Sequence, residues 1–195
     1  AGSATERPAQ FGELRRLHNL EFPFILKPDV GQRGVGVKLI RTDEQAEAYL
    51  RQTNAPLLLQ RYAPGPHEVG VFYYRFPHET RGRIFAITRK VFPFVTGDGC
   101  STIEELVWRD TRARFMADKY LQRLDDRRFE ILPTGEMLKL VEAGNHAQGC
   151  IFEDGLALNS PELEARIDEI SQKLTGFFVG RHDIRYASES DLRTG

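Results

Sequence analysis

One stretch constrains this chain more than any other: residues 22–37, FPFILKPDVGQRGVGV, where an apolar run is followed by a lysine, a proline and then Gly31, Gly34 and Gly36. Residues 22–26 are short, apolar and rich in aromatics, which predicts a buried strand, and Pro28 ends it because proline has no N–H for a central ladder. Lys27 therefore stands at the mouth of a strand. The three glycines allow positive φ and let backbone N–H groups approach a ligand with no Cβ in the way, which makes an anion cradle. A lysine beside such a cradle suits a polyphosphate. The spacing fits neither the P-loop nor the dinucleotide fingerprint G-x-G-x-x-G. Val35, Val37, Leu39 and Ile40 resume a strand pattern, so the cradle is expected inside a strand-loop-strand hairpin. A plain glycine-rich hairpin with a solvated lysine is the alternative reading of the same residues.

With 195 residues the chain can form one domain or two small ones, and 41% hydrophobic residues is an ordinary globular composition. A net charge of -1 leaves no basic field for nucleic acid and no polybasic membrane anchor. No apolar run approaches the roughly 18 residues of a membrane span, and no signal-peptide pattern opens the chain. The expectation is a soluble, cytoplasmic protein that binds neither nucleic acid nor membrane. Cys100 and Cys150 lack any C-x-x-C spacing and read as two reduced thiols. Ala1 is not an initiator methionine, residues 1–10 have a linker's composition, and residues 193–195 read as a turn after a strand. A fragment cut at both ends is expected.

Along the chain, residues 11–19 predict a leading helix, and Thr42 with Gln45 forms a capping box for a helix whose Ala46, Tyr49 and Leu50 share one face. Residues 55–62 predict a strand running into the Ala63-Pro64-Gly65-Pro66 turn. Free backbone groups there would suit an adenine edge, although a hairpin turn explains the segment equally well. Residues 68–75 and 83–91 alternate as an antiparallel pair. Ser101 with Glu104 suggests an N-cap for a helix that buries Ile103, Leu106 and Val107. Residues 129–132 and 137–141 suggest a hairpin around Thr134 and Gly135. Ser160, Pro161 and the spacing of Leu163, Ile167, Ile170 and Leu174 predict the clearest helix. In the last strand Arg181, Asp183 and Arg185 alternate and share a face. That face is either functional or a modest surface ion-pair row. The expected division is a linker and leading helix over 1–19, a small subdomain over 20–62 and a larger one over 63–195.

In this order the pieces resemble the ATP-grasp superfamily: strand-Lys-Pro, glycine-rich hairpin, Pro-Gly turn with a nearby Glu, GDG-x-STIEEL, a Gly-Asn loop, a long helix and Arg-x-Asp on a strand. Arg89-Lys90-Val91 with residues 96–99 and 102–106 is most similar to cyanophycin synthetase. The Gly144-Asn145 loop resembles glutathione synthetase, and residues 180–183 resemble D-alanine:D-alanine ligase. The resemblance implies an α+β fold of two subdomains, with mainly antiparallel sheets sandwiching a nucleotide. It further implies a carboxylate-amine ligase that uses ATP and Mg²⁺ and forms an amide through an acyl phosphate. Its partners would be a small carboxylate and an amine, and a homodimer stays open.

Carried over by residue, Lys27 would contact the α/β phosphates, and Gly31, Gln32, Arg33, Gly34 and Gly36 would close over the triphosphate. Gln60, Arg61, Tyr62 and Ala63 would hold adenine, with Gln60 standing where the relatives usually carry Glu; an amide can still pair with the adenine amino group. Glu68 would hold the ribose hydroxyls, with His67 competing because the preceding turn is one residue longer than in the relatives. Asp183 would bind Mg²⁺, Arg181 would face the transferring phosphoryl group, and Asn145 would sit near the γ-phosphate. The relatives' Gly-Gly is Gly149-Cys150 here. Their second metal carboxylate lies on a strand as E-x-N, which this sequence does not contain after Asp183, so the chain alone is expected not to turn ATP over. A nucleotide-binding domain without ligase activity is the second reading.

Overall fold

The computed structural model describes residues 6–31 and 34–195, which form a mixed α+β chain whose paired strands are all antiparallel. The chain divides into two compact units, Ala1–Ala63 and Pro64–Gly195.

The first unit contains α1 (Glu6–Leu17), β1 (Phe24–Pro28), β2 (Lys38–Ile40), α2 (Asp43–Gln52) and β3 (Leu57–Arg61). Its sheet runs β2-β1-β3, with Phe24 opposite both Ile40 and Arg61. Alternation sends Phe24, Leu26 and Ile40 to one face, where Ala46, Tyr49 and Leu50 of α2 cover them. Burial of each large side chain contributes about 1.5–3 kcal/mol, which is the main reason two short helices and three short strands hold together. Thr42 caps α2 as its spacing predicts, accepting from the Gln45 N–H. Helix α1 starts at Glu6, inside a stretch whose composition predicts a linker. It is docked by Arg7, which donates to the carbonyls of Thr53, Asn54 and Ala55, and by Arg15, which lies 4.2 Å over the Phe22 ring.

The second unit contains β4 (His67–Tyr74), β5 (Arg83–Val91), β6 (Phe94–Thr96), α3 (Ile103–Arg109), α4 (Ala117–Leu124), β7 (Met137–Lys139), β8 (Ile151–Asp154), α5 (Pro161–Gln172), β9 (Val179–Tyr186) and α6 (Glu189–Thr194). Its main sheet runs β8-β5-β4-β9. Val69, Val71 and Tyr73 face Leu163 and Ile167 of α5 in one core, so the opposite face carries Glu68, Gly70, Phe72 and Tyr74. Buried Asp168 fastens α5 to the sheet, accepting from the Tyr73 hydroxyl at 2.7 Å, the Gly82 N–H and the Gln172 amide. A second core joins α3, α4 and β6 through Val95, Ile103, Val107, Tyr120 and Leu121, with Leu138 of β7 packed against it.

Several local expectations are corrected here. The cap of α3 is Thr102 with Glu105, because Ser101 is already committed: its N–H and hydroxyl both donate to Asp98. Residues 137–139 pair with 94–96 rather than with 129–132, of which Ile131 makes only one bridge, to Thr102. Ile170 and Leu174 of the last predicted helix are substantially exposed, so its apolar stripe stops at Ile167 and the buried face continues with Asp168 and Ser171. Residues 193–195 end helix α6, which Ser188 and Asp191 start with a capping box, and are not a turn after a strand. Among the described residues no helix is long and apolar enough to cross a membrane.

Candidate functional site

In the first unit, the sheet face turned away from α2 carries Ile25, Lys27, Leu39, Leu58 and Gln60. Lys27 lies opposite Leu58, two residues from Gln60 on the same face, and its ammonium donates to Gln60 Oε1 at 2.7 Å. A lysine and an amide are thus held together on a partly apolar platform. Arg61 closes β3, and Tyr62 and Ala63 follow it. In the loop beyond Lys27, Gly34 and Gly36 adopt φ of 73° and 74°. Gly36 has a second reason to lack a side chain, since a Cβ would meet the Pro28 ring at 2.8 Å. Gly31 departs from the expectation: it is not among the positive-φ residues, and a Cβ there would make only ordinary contacts. Gln32 and Arg33 lie outside the described residues.

The second unit concentrates charge on the open face of its main sheet. Register places Lys90 of β5 and Arg185 of β9 on either side of Glu68 in β4, with Asp183 opposite Gly70 and Arg181 opposite Phe72. The Lys90 ammonium donates to Glu68 Oε1 at 2.5 Å and to Asp183 Oδ1 at 2.8 Å, and the residue is only 5% exposed. Arg185 Nε donates to Glu68 Oε2 at 3.2 Å, and Arg181 Nη2 donates to Asp183 Oδ2 at 3.1 Å, with Arg181 Nε 3.1 Å from Asp183 Oδ1 in the same ion pair. Gly70 is where these groups converge: a Cβ there would lie 3.0 Å from Arg181 Cδ and 3.4 Å from Asp183 Oδ1. Three cations thus surround two carboxylates. Burying an ammonium requires such pairing, because an uncompensated charge out of water costs several kcal/mol.

The loop over residues 142–150 lies against this cluster. Arg185 donates to the Glu142 carbonyl, and Gly144 sits so close to the ion pair that a Cβ would meet Lys90 Cδ at 2.7 Å and Glu68 Oε1 at 2.8 Å. Asn145 is the cap of a short 3₁₀ turn (His146–Gln148) in that loop, and its carbonyl accepts from the N–H groups of Gln148 and Cys150. Cys150 is buried in the second core, which pushes its thiol pKa up and leaves it a structural side chain; Cys100 is exposed, and neither is in a disulfide.

Of the residues the sequence singles out, the structure joins Glu68, Arg181 and Asp183 on one face and Lys27 and Gln60 on another. His67, at the start of β4, stacks on Tyr186 at 5.2 Å. Lys90 and Arg185 are the functional candidates that residue-level reading does not assign. Regular hairpin register does not find Lys90: counting back from the Tyr74–Arg83 pair puts Arg89 opposite Glu68, and the bulge between Phe72 and Tyr73 is what brings Lys90 there. Among the described residues no group of three or more His, Cys, Asp or Glu is arranged to hold a metal ion, so Asp183 and Glu68 stand as isolated carboxylates sharing an ammonium.

No family model matches the sequence, and no curated protein matches it. Among solved structures the chain is similar to a bifunctional glutathione synthetase from Pasteurella multocida, at 15% identity and a TM-score of 0.42. The match covers 95% of this chain and 26% of that protein, so the chain spans about a quarter of that structure's length, and so low a TM-score does not identify a shared fold.

Proposed function

We propose that this chain is the nucleotide-handling part of an ATP-grasp carboxylate-amine ligase. The observation that carries the reading is the Lys90 ammonium, held nearly out of water between Glu68 and Asp183 with Arg181 and Arg185 on the same sheet face. A surface ion-pair row would contribute little and would not need a buried lysine. Phosphoryl transfer needs prearranged positive charge around three equatorial oxygens and little covalent help from the protein. Lys90 and Arg181 supply that charge in the second unit, and Lys27 supplies it beside Gln60 in the first.

The proposed reaction has two displacements. A substrate carboxylate oxygen attacks the γ-phosphorus of ATP, the bond to the β–γ bridging oxygen breaks, and ADP leaves. An amine nitrogen then attacks the acyl carbon, the carbon–oxygen bond to phosphate breaks, and the amide forms as the nitrogen loses a proton. Arg181 orients the transferring group, Glu68 accepts hydrogen bonds from the sugar hydroxyls, and Asn145 lies toward the γ-phosphate. In the first unit Gly34 and Gly36 leave room over the triphosphate, and residues 60–63 offer backbone groups to adenine. Mg²⁺ at a nucleotide takes one or two carboxylates, with phosphate oxygens and water completing its shell. Asp183 fits that requirement, being a carboxylate on the open face with its side chain 46% exposed. When bound, the ion would offset charge on the β and γ phosphates.

The test is the melting temperature with and without millimolar Mg-ATP, since a ligand that binds only the native state raises stability by mass action. A clear upward shift is expected. Lys27→Ala removes a charge-assisted contact worth about 1.5–3 kcal/mol, so it should weaken ATP binding by roughly tenfold to a hundredfold. Absence of any shift, or an unchanged affinity in the variant, would count against nucleotide binding.

A further inference from the structure

The open face of the main sheet in the second unit has two halves, and the charged cluster occupies only one. Beyond Arg181 the face turns aromatic. Phe72 lies opposite Arg181 in register, with the guanidinium carbon 5.8 Å from its ring centroid. From there the rings continue from Phe72 to Phe85 at 5.8 Å, from Phe85 to Tyr74 at 5.9 Å and from Tyr74 to Phe76 at 5.5 Å. Phe85 is 52% exposed and Phe76 51%. Phe85 reaches this face because the β4–β5 ladder shifts register between Phe72 and Tyr73, and a bulge of this kind re-aims a side chain at the cost of regular pairing. An aromatic turned toward water by a bulge is not a core residue left over.

We infer that this strip is a substrate subsite, and that it takes the aryl end of a carboxylic acid whose carboxylate lies at Arg181. The inference rests on the ligase reading above and adds the class of substrate. Four observations select this occupant. The strip is continuous with the charged cluster, so a molecule lying on it reaches the guanidinium at its head. That guanidinium is held from one side by Asp183 Oδ1 and Oδ2, at 3.1 Å each, which keeps a prearranged cation beside Phe72 at the head of the strip. The cluster also carries three cations to two carboxylates, so it favours an anionic head group. Offset and edge-on ring geometries, such as the tilted Phe72–Phe85 pair, accept a further aromatic ring better than a branched aliphatic group.

The experiment uses 3-phenylpropionate, propionate and 3-phenylpropan-1-ol as probes, with binding to the whole chain followed by ligand-observed NMR and a parallel thermal shift with Mg-ATP. The aryl acid is expected to bind about tenfold or more tightly than either propionate or the alcohol, because only it engages both the rings and Arg181. Phe85→Ser should remove most of the preference over propionate, Phe85→Leu should retain part of it, and Arg181→Gln should erase the preference over the alcohol. Phe85 is half exposed, so both of its variants should melt as the parent does. Equal binding of aryl acid and propionate, or indifference to Phe85→Ser, overturns the proposal. So does a monomer–dimer equilibrium abolished by Phe85→Ser, which would assign the strip to a second copy of the chain. A Mg-ATP shift without aryl-acid binding sinks the subsite and leaves the nucleotide reading standing. Aryl-acid binding without a Mg-ATP shift keeps the strip as a binding site and removes its role in a ligase.

Discussion

The ammonium of Lys90 stands 2.5 Å from Glu68 Oε1, and their side chains are only 3% and 10% exposed. Removing one member of a buried pair strands the other, typically at ~3–5 kcal/mol. Glu68 keeps Arg185, so Lys90→Met should cost about 3 kcal/mol, the low end of that range. Lys90→Met with Glu68→Leu should cost less than Lys90→Met alone. Urea unfolding checks both; a single variant within about 0.5 kcal/mol of the parent would mean the pair is not buried in solution.

Gly144, in the loop that lies on this pair, is predicted to resist any added side chain. An added Cβ would meet Lys90 Cδ at 2.7 Å and Glu68 Oε1 at 2.8 Å, and neither group can swing into water without breaking the ion pair. Overpacking of this kind costs about 1–3 kcal/mol. Gly144→Ala should therefore lower the urea midpoint and shrink any Mg-ATP thermal shift. Gly135→Ala is the spatial comparison, since nothing lies near its Cβ and only its positive φ opposes the change.

His182 links the fold to pH. It lies on β9, its Nε2 is 2.9 Å from the Ser171 hydroxyl, and burial holds its pKa below the ordinary 6.5. The folded state therefore resists protonation that the unfolded state accepts, and the unfolded chain binds more protons as pH drops below 6.5. This contribution to stability is complete above that value and is lost as pH falls toward the folded pKa. His182→Gln, which can retain a hydrogen bond to Ser171 without titrating, should flatten the stability profile between about pH 7.5 and about pH 5.5. An equal slope in parent and variant would assign the effect to other groups.

The cap of α3 is testable at residues whose roles differ between sequence and structure. Thr102→Ala removes the side chain that accepts from the Glu105 N–H and should cost about 1 kcal/mol. Glu104→Ala should stay within about 0.5 kcal/mol, since its ion pair with Arg128 is long at 4.0 Å and partly exposed. The reverse order in thermal melts would restore the cap to Ser101.

Much of the fold was legible because it is local. Alternation marked β4, β5 and the shared face of Arg181, Asp183 and Arg185, and side-chain caps marked α2 and α5. Misreadings arose where two neighbours competed for one role or where pairing reached across the chain. Ser101 and Thr102 are both good caps, and only the Asp98 carboxylate, which takes Ser101, decides between them. Met137–Lys139 looked like half of a local hairpin, yet its partner strand, Phe94–Thr96, lies some forty residues earlier.

The sequence by itself determined most of the elements and a local inventory of residues: Lys27 before Pro28, the glycines after it, and a strand with two arginines flanking an aspartate. Those depend on backbone freedom and alternation, which act between near neighbours. Only the tertiary structure decided that Lys90, 22 residues from Glu68 and 93 from Asp183, stands between them. Only it placed an aromatic strip beside Arg181. Strand register sets both, and register is chosen by the whole sheet as it buries one face against α5, so no short window of sequence contains it.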